Sequence, residues 1–186
     1  QGVIDHLRNL ANSGTELFFI PGNRDFLIGS KFLEQAGMIQ LSDPTEIALY
    51  NTTVLLTHGD FLCTDDKNYQ RYRKIVQNIW VQKIFLALPL SLRRKIAVKL
   101  RRTSQESMQK KPTASLDVTD KAVVDVLTKS QAQILIHGHT HNPGTHQVNE
   151  QQQRMVLGAW HISGSMILCS NNMPPKLIEF NLDELE

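Results

Sequence analysis

The chain has 186 residues, enough for one domain with its own core. Its 41% hydrophobic and 20% charged content is ordinary for a globular protein, and no run is long and apolar enough to cross a bilayer as a helix. A net charge of +2 names no partner, and two cysteines, Cys63 and Cys169, cannot make a disulfide framework, so a reduced, cytosolic setting is expected.

The chain opens at Gln1 directly into a helical pattern of Val3, Ile4, Leu7, Leu10 and Ala11, as the middle of a domain does. Further sequence is therefore expected upstream of Gln1. The helix stops near Asn12-Ser13-Gly14. Leu17 to Ile20 is an apolar run with the pattern of a buried strand, ended by Pro21-Gly22 and the loop Gly22-Asn23-Arg24-Asp25. Ser30 to Ala36 reads as a helix closed by Gly37. Glu46 to Tyr50 and Thr53 to Thr57 flank Asn51-Thr52 as a hairpin, and Val54-Leu55-Leu56 runs into His58-Gly59-Asp60. From Tyr69 to Thr128 the pattern is helical, broken by Pro89 and by the polar segment Thr103 to Pro112. Ile134-Leu135-Ile136 then feeds His137-Gly138-His139-Thr140-His141, and Met155 to Leu157, Met166 to Cys169 and Leu177 to Phe180 are short strand candidates. The order predicts an α/β sandwich of two sheets flanked by helices, with a helical cap inserted at about 67–128 of a single domain.

Three apolar strands thus end in loops rich in metal-ligand types: Asn23, then His58 with Asp60, then His139 with His141. Open α/β sheets place their sites at the carboxyl ends of strands. Imidazole, amide oxygen and carboxylate together suit Mn²⁺, Fe or Zn²⁺ better than Ca²⁺. One His after a strand is commonly a hydrogen-bonded loop residue. Gly-His-Thr-His carries more information, because alternate residues of an extended loop point the same way. His6 and His146 read as surface residues, His161 as structural or supporting, Cys63 as structural, and Trp80 and Trp160 as core.

Gly22-Asn23-Arg24-Asp25, His58-Gly59-Asp60 and Gly138-His139-Thr140-His141 resemble the last three motifs of the calcineurin-like metallophosphoesterases. The resemblance implies two metal ions, Mn²⁺ by preference, with Asn23, His58 and His139 on one and His141 on the other. These four are also the implied catalytic residues. The two earlier motifs, with the bridging carboxylate, are expected upstream of Gln1, so the domain would lack its N-terminal strands. Leu62-Cys63-Thr64-Asp65-Asp66 and Leu157-Gly158-Ala159-Trp160-His161 resemble, within that family, the branch that hydrolyses the pyrophosphate of UDP-2,3-diacylglucosamine in lipid A biosynthesis. That resemblance implies substrate contacts from Asn23, Arg24, Asp66, Ser104, Lys111 and His139. Met108 stands where members of the branch can carry an Asn.

The implied chemistry is in-line attack on the uridine-linked phosphorus, releasing UMP. Two metals roughly 3.5–4 Å apart can hold a hydroxide and polarise a phosphoryl oxygen. Arg24 suits the pyrophosphate, since its fork matches two phosphate oxygens. From Lys83 to Arg102 seven basic residues occur with no acid, interleaved with Leu92, Ile96 and Leu100 at helical spacing. Such a helix suits the anionic cytoplasmic face of a bacterial inner membrane, bound peripherally, while few aromatics argue against nucleic acid. A monomer is expected. The alternatives are another phosphoesterase of the family, such as a dinucleoside polyphosphate hydrolase or a protein phosphatase, and a non-catalytic scaffold of the same fold.

Overall fold

The computed structural model describes residues 2–109, 117–171 and 173–184, without the side chains of residues 105 and 107–109. Two compact units divide the chain: Gln1–Asp60 with Asp120–Glu186, and Phe61–Thr119. The helical unit therefore ends earlier than the expected 67–128, because helix α6 (Asp120–Ser130) falls with the first unit. The reason lies on its inward face, where Val123 and Leu127 are buried, as a core helix requires and an exposed cap helix does not.

The first unit begins with α1 (Gly2–Asn12), strand β1 (Leu17–Phe19), helix α2 (Ser30–Ala36) and strand β2 (Met38–Gln40). Gly37 closes α2 in the left-handed region at φ 72°, donating its N–H to the Glu34 carbonyl. β1 and β2 pair in parallel as a two-stranded sheet. β1 was expected to be a buried strand, but Phe18 is 51% exposed, while Leu17 and Phe19 on the opposite face are half-buried.

β3 (Thr45–Leu49) and β4 (Thr52–Thr57) form the expected hairpin, with Thr45 opposite Leu56. β4 continues into a five-stranded sheet with β5 (Ile134–His137), β6 (Gly144–Gln147) and β7 (Gln153–Val156), in the order β3-β4-β5-β7-β6. β4, β5 and β7 run parallel in the centre; Val54–Leu56 and Ile134–Ile136 are apolar on both faces, as buried parallel strands are, while β7 (Gln153-Arg154-Met155-Val156) buries Arg154 beside Met155 and Val156. β6 is an antiparallel edge strand whose polar sequence, Gly144-Thr145-His146-Gln147, carries no strand signal. Val54, Ile134, Ile136 and Met155 line one face of the sheet, and Ile167 and Leu177 pack onto it. Those two come from the hairpin of β8 (Ser163–Ser170) and β9 (Met173–Asn181), so two sheets meet face to face. Leu55 and Leu135 alternate to the other face and are also buried.

The helical unit holds α3 (Lys67–Val76), α4 (Ile79–Ala87) and α5 (Leu90–Gln109). Asn78 caps α4 by accepting from the Trp80 N–H at 2.9 Å, and Pro89 ends its run. The polar segment from Thr103 was expected to break the helix, yet α5 continues through Gln109. Thr, Ser and Gln are tolerated in a helix, and the Arg102–Glu106 pair at i,i+4, 2.8 Å apart, supports this turn. Both tryptophans were expected in the core and both are exposed, Trp80 at 68% and Trp160 at 60%. Trp160 stands edge-on to Phe180 and donates its indole N–H to the Ser165 carbonyl at 3.0 Å; Trp80 lies under the Lys83 ammonium.

Candidate metal centre

Strand pairing brings the ligand loops together. β4 and β5 are parallel neighbours, with Thr57 opposite His137, so the loops that follow leave the same end of the sheet side by side. The Gly138 N–H donates to the His58 carbonyl at 3.2 Å and ties one loop to the other. His58 Nε2 and His139 Nδ1 then lie 3.2 Å apart, with the rings edge-on at 5.0 Å between centroids.

The third loop arrives through Gly22. A Cβ at this position would lie 2.8 Å from His58 Cε1 and 2.9 Å from Nδ1, so only glycine lets the backbone run so close to the imidazole. The turn is closed by the Gly22 N–H donating to Asp25 Oδ1 at 2.5 Å. Asn23 follows directly, half-buried, and Arg24 is exposed beside it. Gly59 is needed for the same reason: it sits at φ 98°, and a Cβ would meet the His137 ring at 2.9 Å.

The Gly-His-Thr-His loop is not extended. His139 and His141 both take left-handed backbone, at φ 62° and 55°. A short turn forms between them and the strand, with Thr140 N–H donating to the Gly138 carbonyl at 2.7 Å. The two rings are close enough to act on each other electrostatically, but not through the alternation of an extended chain. Burial lowers the pKa of His139 to about 4; the neighbouring His58, His141 and His137 push it the same way, and Asp60 opposes them. His141 is also lowered, first by burial and then by Arg24, His161 and His58. At neutral pH both rings are uncharged and keep a lone pair, the form in which histidine binds a metal.

The donors fit a divalent transition metal. Two imidazole nitrogens 3.2 Å apart subtend about 100° at a metal held at about 2.1 Å from each, an edge of a tetrahedral or octahedral shell. Among the described residues no group of three or more His, Cys, Asp or Glu is arranged to hold a metal ion, so these two imidazoles are an open part of a shell and not a closed one.

Two contributors escaped the sequence reading. His137, the last residue of β5, is buried; its Nδ1–H donates to the Gly138 carbonyl at 2.9 Å, which leaves Nε2 to accept from Arg154 Nη1 at 3.4 Å. Its position at the end of an apolar strand was the available signal. Asp43 accepts from the Thr57 hydroxyl and from the His58 N–H at 3.1 Å. Burial raises its pKa, against these two hydrogen bonds. Nothing in a stretch 14 residues before Thr57 marks it.

Asp66 and Ser104 belong to the helical unit. Asp66 caps α3 by accepting from the Tyr69 N–H at 3.0 Å, and Ser104 is exposed on α5. Lys111 and the Met108 side chain lie outside the described residues. Cys63 is buried and its carbonyl accepts from Gln70 Nε2 at 3.0 Å. His161, expected to be structural or supporting, acts on His141 electrostatically and lowers its pKa.

The profile of the calcineurin-like phosphoesterases matches residues 1–143. A UDP-2,3-diacylglucosamine hydrolase from Photorhabdus laumondii is 49% identical over 167 residues, covering 88% of this chain and 70% of that protein. One from Escherichia coli is 47% identical over 164 residues, covering 87% and 68%. Among solved structures, Vps29 complexed with zinc from Entamoeba histolytica aligns over 96% of this chain and 87% of its own, at 10% identity and a TM-score of 0.39.

Proposed function

The chain belongs to the calcineurin-like phosphoesterase family, and from that premise we propose that it hydrolyses the pyrophosphate bond of UDP-2,3-diacylglucosamine to UMP and 2,3-diacylglucosamine 1-phosphate. The observation that carries the reading is the His58–His139 nitrogen pair at the end of two parallel strands, in a chain nearly half identical to hydrolases of that substrate.

Two Mn²⁺ ions complete this reading, with Asn23, His58 and His139 on one and His141 on the other. Held there, such ions would supply Lewis-acid polarisation of a phosphoryl oxygen and activation of water. The protein's own part is orientation. His139 and His141 are kept neutral, so no proton has to leave before they bind. Arg24, exposed at the rim, offers a two-pronged contact to the pyrophosphate. Asp66, Ser104 and Lys111 are assigned to substrate contact.

The same unit supports a peripheral place on the cytoplasmic face of the inner membrane for a monomeric enzyme. α5 carries Arg93, Arg94, Lys95, Lys99, Arg101 and Arg102, while Leu90 and Val98 stand exposed on it. α4 exposes Ile79, Trp80 and Ile84. Apolar surface beside a basic stripe suits an anionic lipid surface, from which an acylated substrate has to be drawn.

The test compares UMP release from UDP-2,3-diacylglucosamine with turnover of diadenosine tetraphosphate by the full-length protein in Mn²⁺. Preference for the first is expected; preference for the second would assign the chain to another phosphoesterase. His58→Ala should lower UMP release by about two orders of magnitude or more while the melting temperature holds, because an opened shell misplaces the ion. Wild-type rate and metal content in that variant would remove His58 from the ligand set.

A further inference from the structure

We propose that Asp43 is a positioning residue for the metal centre: its carboxylate holds the Thr57–Gly59 loop so that His58 Nε2 is set against His139 Nδ1. The proposal rests on the reading of His58 and His139 as metal ligands.

Asp43 lies on the connector between β2 and β3, outside every motif that carries ligands. A single oxygen, Oδ1, accepts both the Thr57 hydroxyl and the His58 N–H, the latter at 3.1 Å. The Thr57 oxygen in turn accepts the Gly59 N–H at 3.0 Å. Three consecutive residues of the ligand loop are therefore referred to one side chain. The connector is itself fixed: the Ser42 and Thr45 hydroxyls are 2.9 Å apart, and the Thr45 hydroxyl donates to the Ser42 carbonyl at 2.5 Å.

The loop needs such an anchor. β4 ends at Thr57, so past the ladder the His58 carbonyl is held by the Gly138 N–H at 3.2 Å, while its N–H and that of Gly59 are held through Asp43 and Thr57. Gly59 at φ 98° is a residue with wide conformational freedom in a position that must not drift, because the His137 ring stands against it. A ligand constellation has to be held to within about 0.5 Å to function. Thr57 is buried, so its hydroxyl has no water to turn to, and the carboxylate both satisfies it and orients it towards Gly59.

Four variants of the full-length protein test this: Asp43→Ala, Asp43→Asn, Thr57→Val and Thr57→Ser. Calorimetric titration with Mn²⁺ is read beside the melting temperature in chelator and the kcat and KM for UMP release. Asp43→Ala should weaken Mn²⁺ binding by about 10- to 100-fold, the usual cost of losing a group that orients a ligand. Asp43→Asn should recover most of it, since the amide oxygen still accepts both donors. Thr57→Val should weaken binding and Thr57→Ser restore it. In each weakened variant kcat should fall at sub-saturating Mn²⁺ and recover at high Mn²⁺, with KM unchanged. Wild-type Mn²⁺ affinity in Asp43→Ala, with or without a lowered melting temperature, overturns the proposal. If Asp43→Ala does not fold, the Thr57→Val and Thr57→Ser pair decides, and unchanged affinity in Thr57→Val overturns it. A wild-type protein that binds Mn²⁺ but releases no UMP would refute the substrate and leave this inference standing.

Discussion

At the scale of the residue, the centre depends on side chains held in costly states. His139 and His141 adopt left-handed backbone, which costs roughly 1–2 kcal/mol for a non-glycine residue. Both rings are also kept uncharged, first by burial and, for His141, next by the Arg24 guanidinium. This has a pH consequence in chelated protein. The folded pKa of His139, about 4, lies below its ordinary 6.5, so the unfolded chain takes up the proton first. Its contribution is whole above pH 6.5 and is lost as pH falls from there towards 4. His141 acts in the same sense, more weakly because it is exposed. Asp43 acts oppositely: its pKa is raised, so its contribution is present below 3.8 and lost as pH rises above that value. The melting temperature in chelator should therefore fall on going from pH 7 to 5, where the histidines dominate. His139→Gln should flatten the slope, and an unchanged slope in that variant would show that His139 does not cause it.

At the scale of the element, α5 is the clearest case of composition outrunning local pattern. Leu92, Ile96 and Leu100 were expected to mark one apolar stripe; Ile96 is half-buried, and Leu90 and Val98 widen the exposed apolar surface around the helix. The basic residues are the more specific feature, each worth about 1 kcal/mol near an anionic surface and less as salt rises. Replacing Arg94, Lys99 and Arg102 with Glu should reduce co-sedimentation with anionic liposomes at low salt and abolish its salt dependence. Unchanged sedimentation would leave the charges with no membrane role. Ile96→Asp should raise KM for a long-chain substrate more than for a short-chain one; an equal effect on both would make α5 a structural lid.

At the scale of the whole molecule, stability is divided between unlike units. The first unit buries Val54, Leu55, Leu135 and Met155 in adjoining strands, whereas α3 and α4 bury no residue at all. Backbone hydrogen bonds open most rarely where apolar cover is deepest. Native-state hydrogen exchange should find the slowest amides in β4, β5 and β7, with α4 and α5 exchanging through cheaper openings. Equal protection in the two units would mean that they unfold together. Within the first unit, a buried His137 and Arg154 are tolerated because the Arg154 Nη1 donates to His137 Nε2 at 3.4 Å.

The elements were largely legible in the sequence because their causes are local. Gly37 after Ser30–Ala36, Asn51-Thr52 between two strand patterns, and apolar runs at Val54–Leu56 and Ile134–Ile136 each act within a few residues. The three loops that carry Asn23, His58 and His139 were legible for the same reason, since each follows its strand directly. β6 was not, as it is an edge strand whose pairing with β7 is set by its neighbour and not by its own polar sequence. The fate of Trp80 and Trp160 was hidden as well, because burial depends on what packs opposite and aromatic character alone does not say. The closeness of His58 and His139, 81 positions apart, required the parallel pairing of β4 with β5. The hold of Asp43 on Thr57 and His58 required the connector to fold back against the end of β4. Sequence by itself determined that Asn23, His58, His139 and His141 follow apolar strands. Tertiary structure decided which of those residues meet, because strand order and register are long-range choices that no single segment contains.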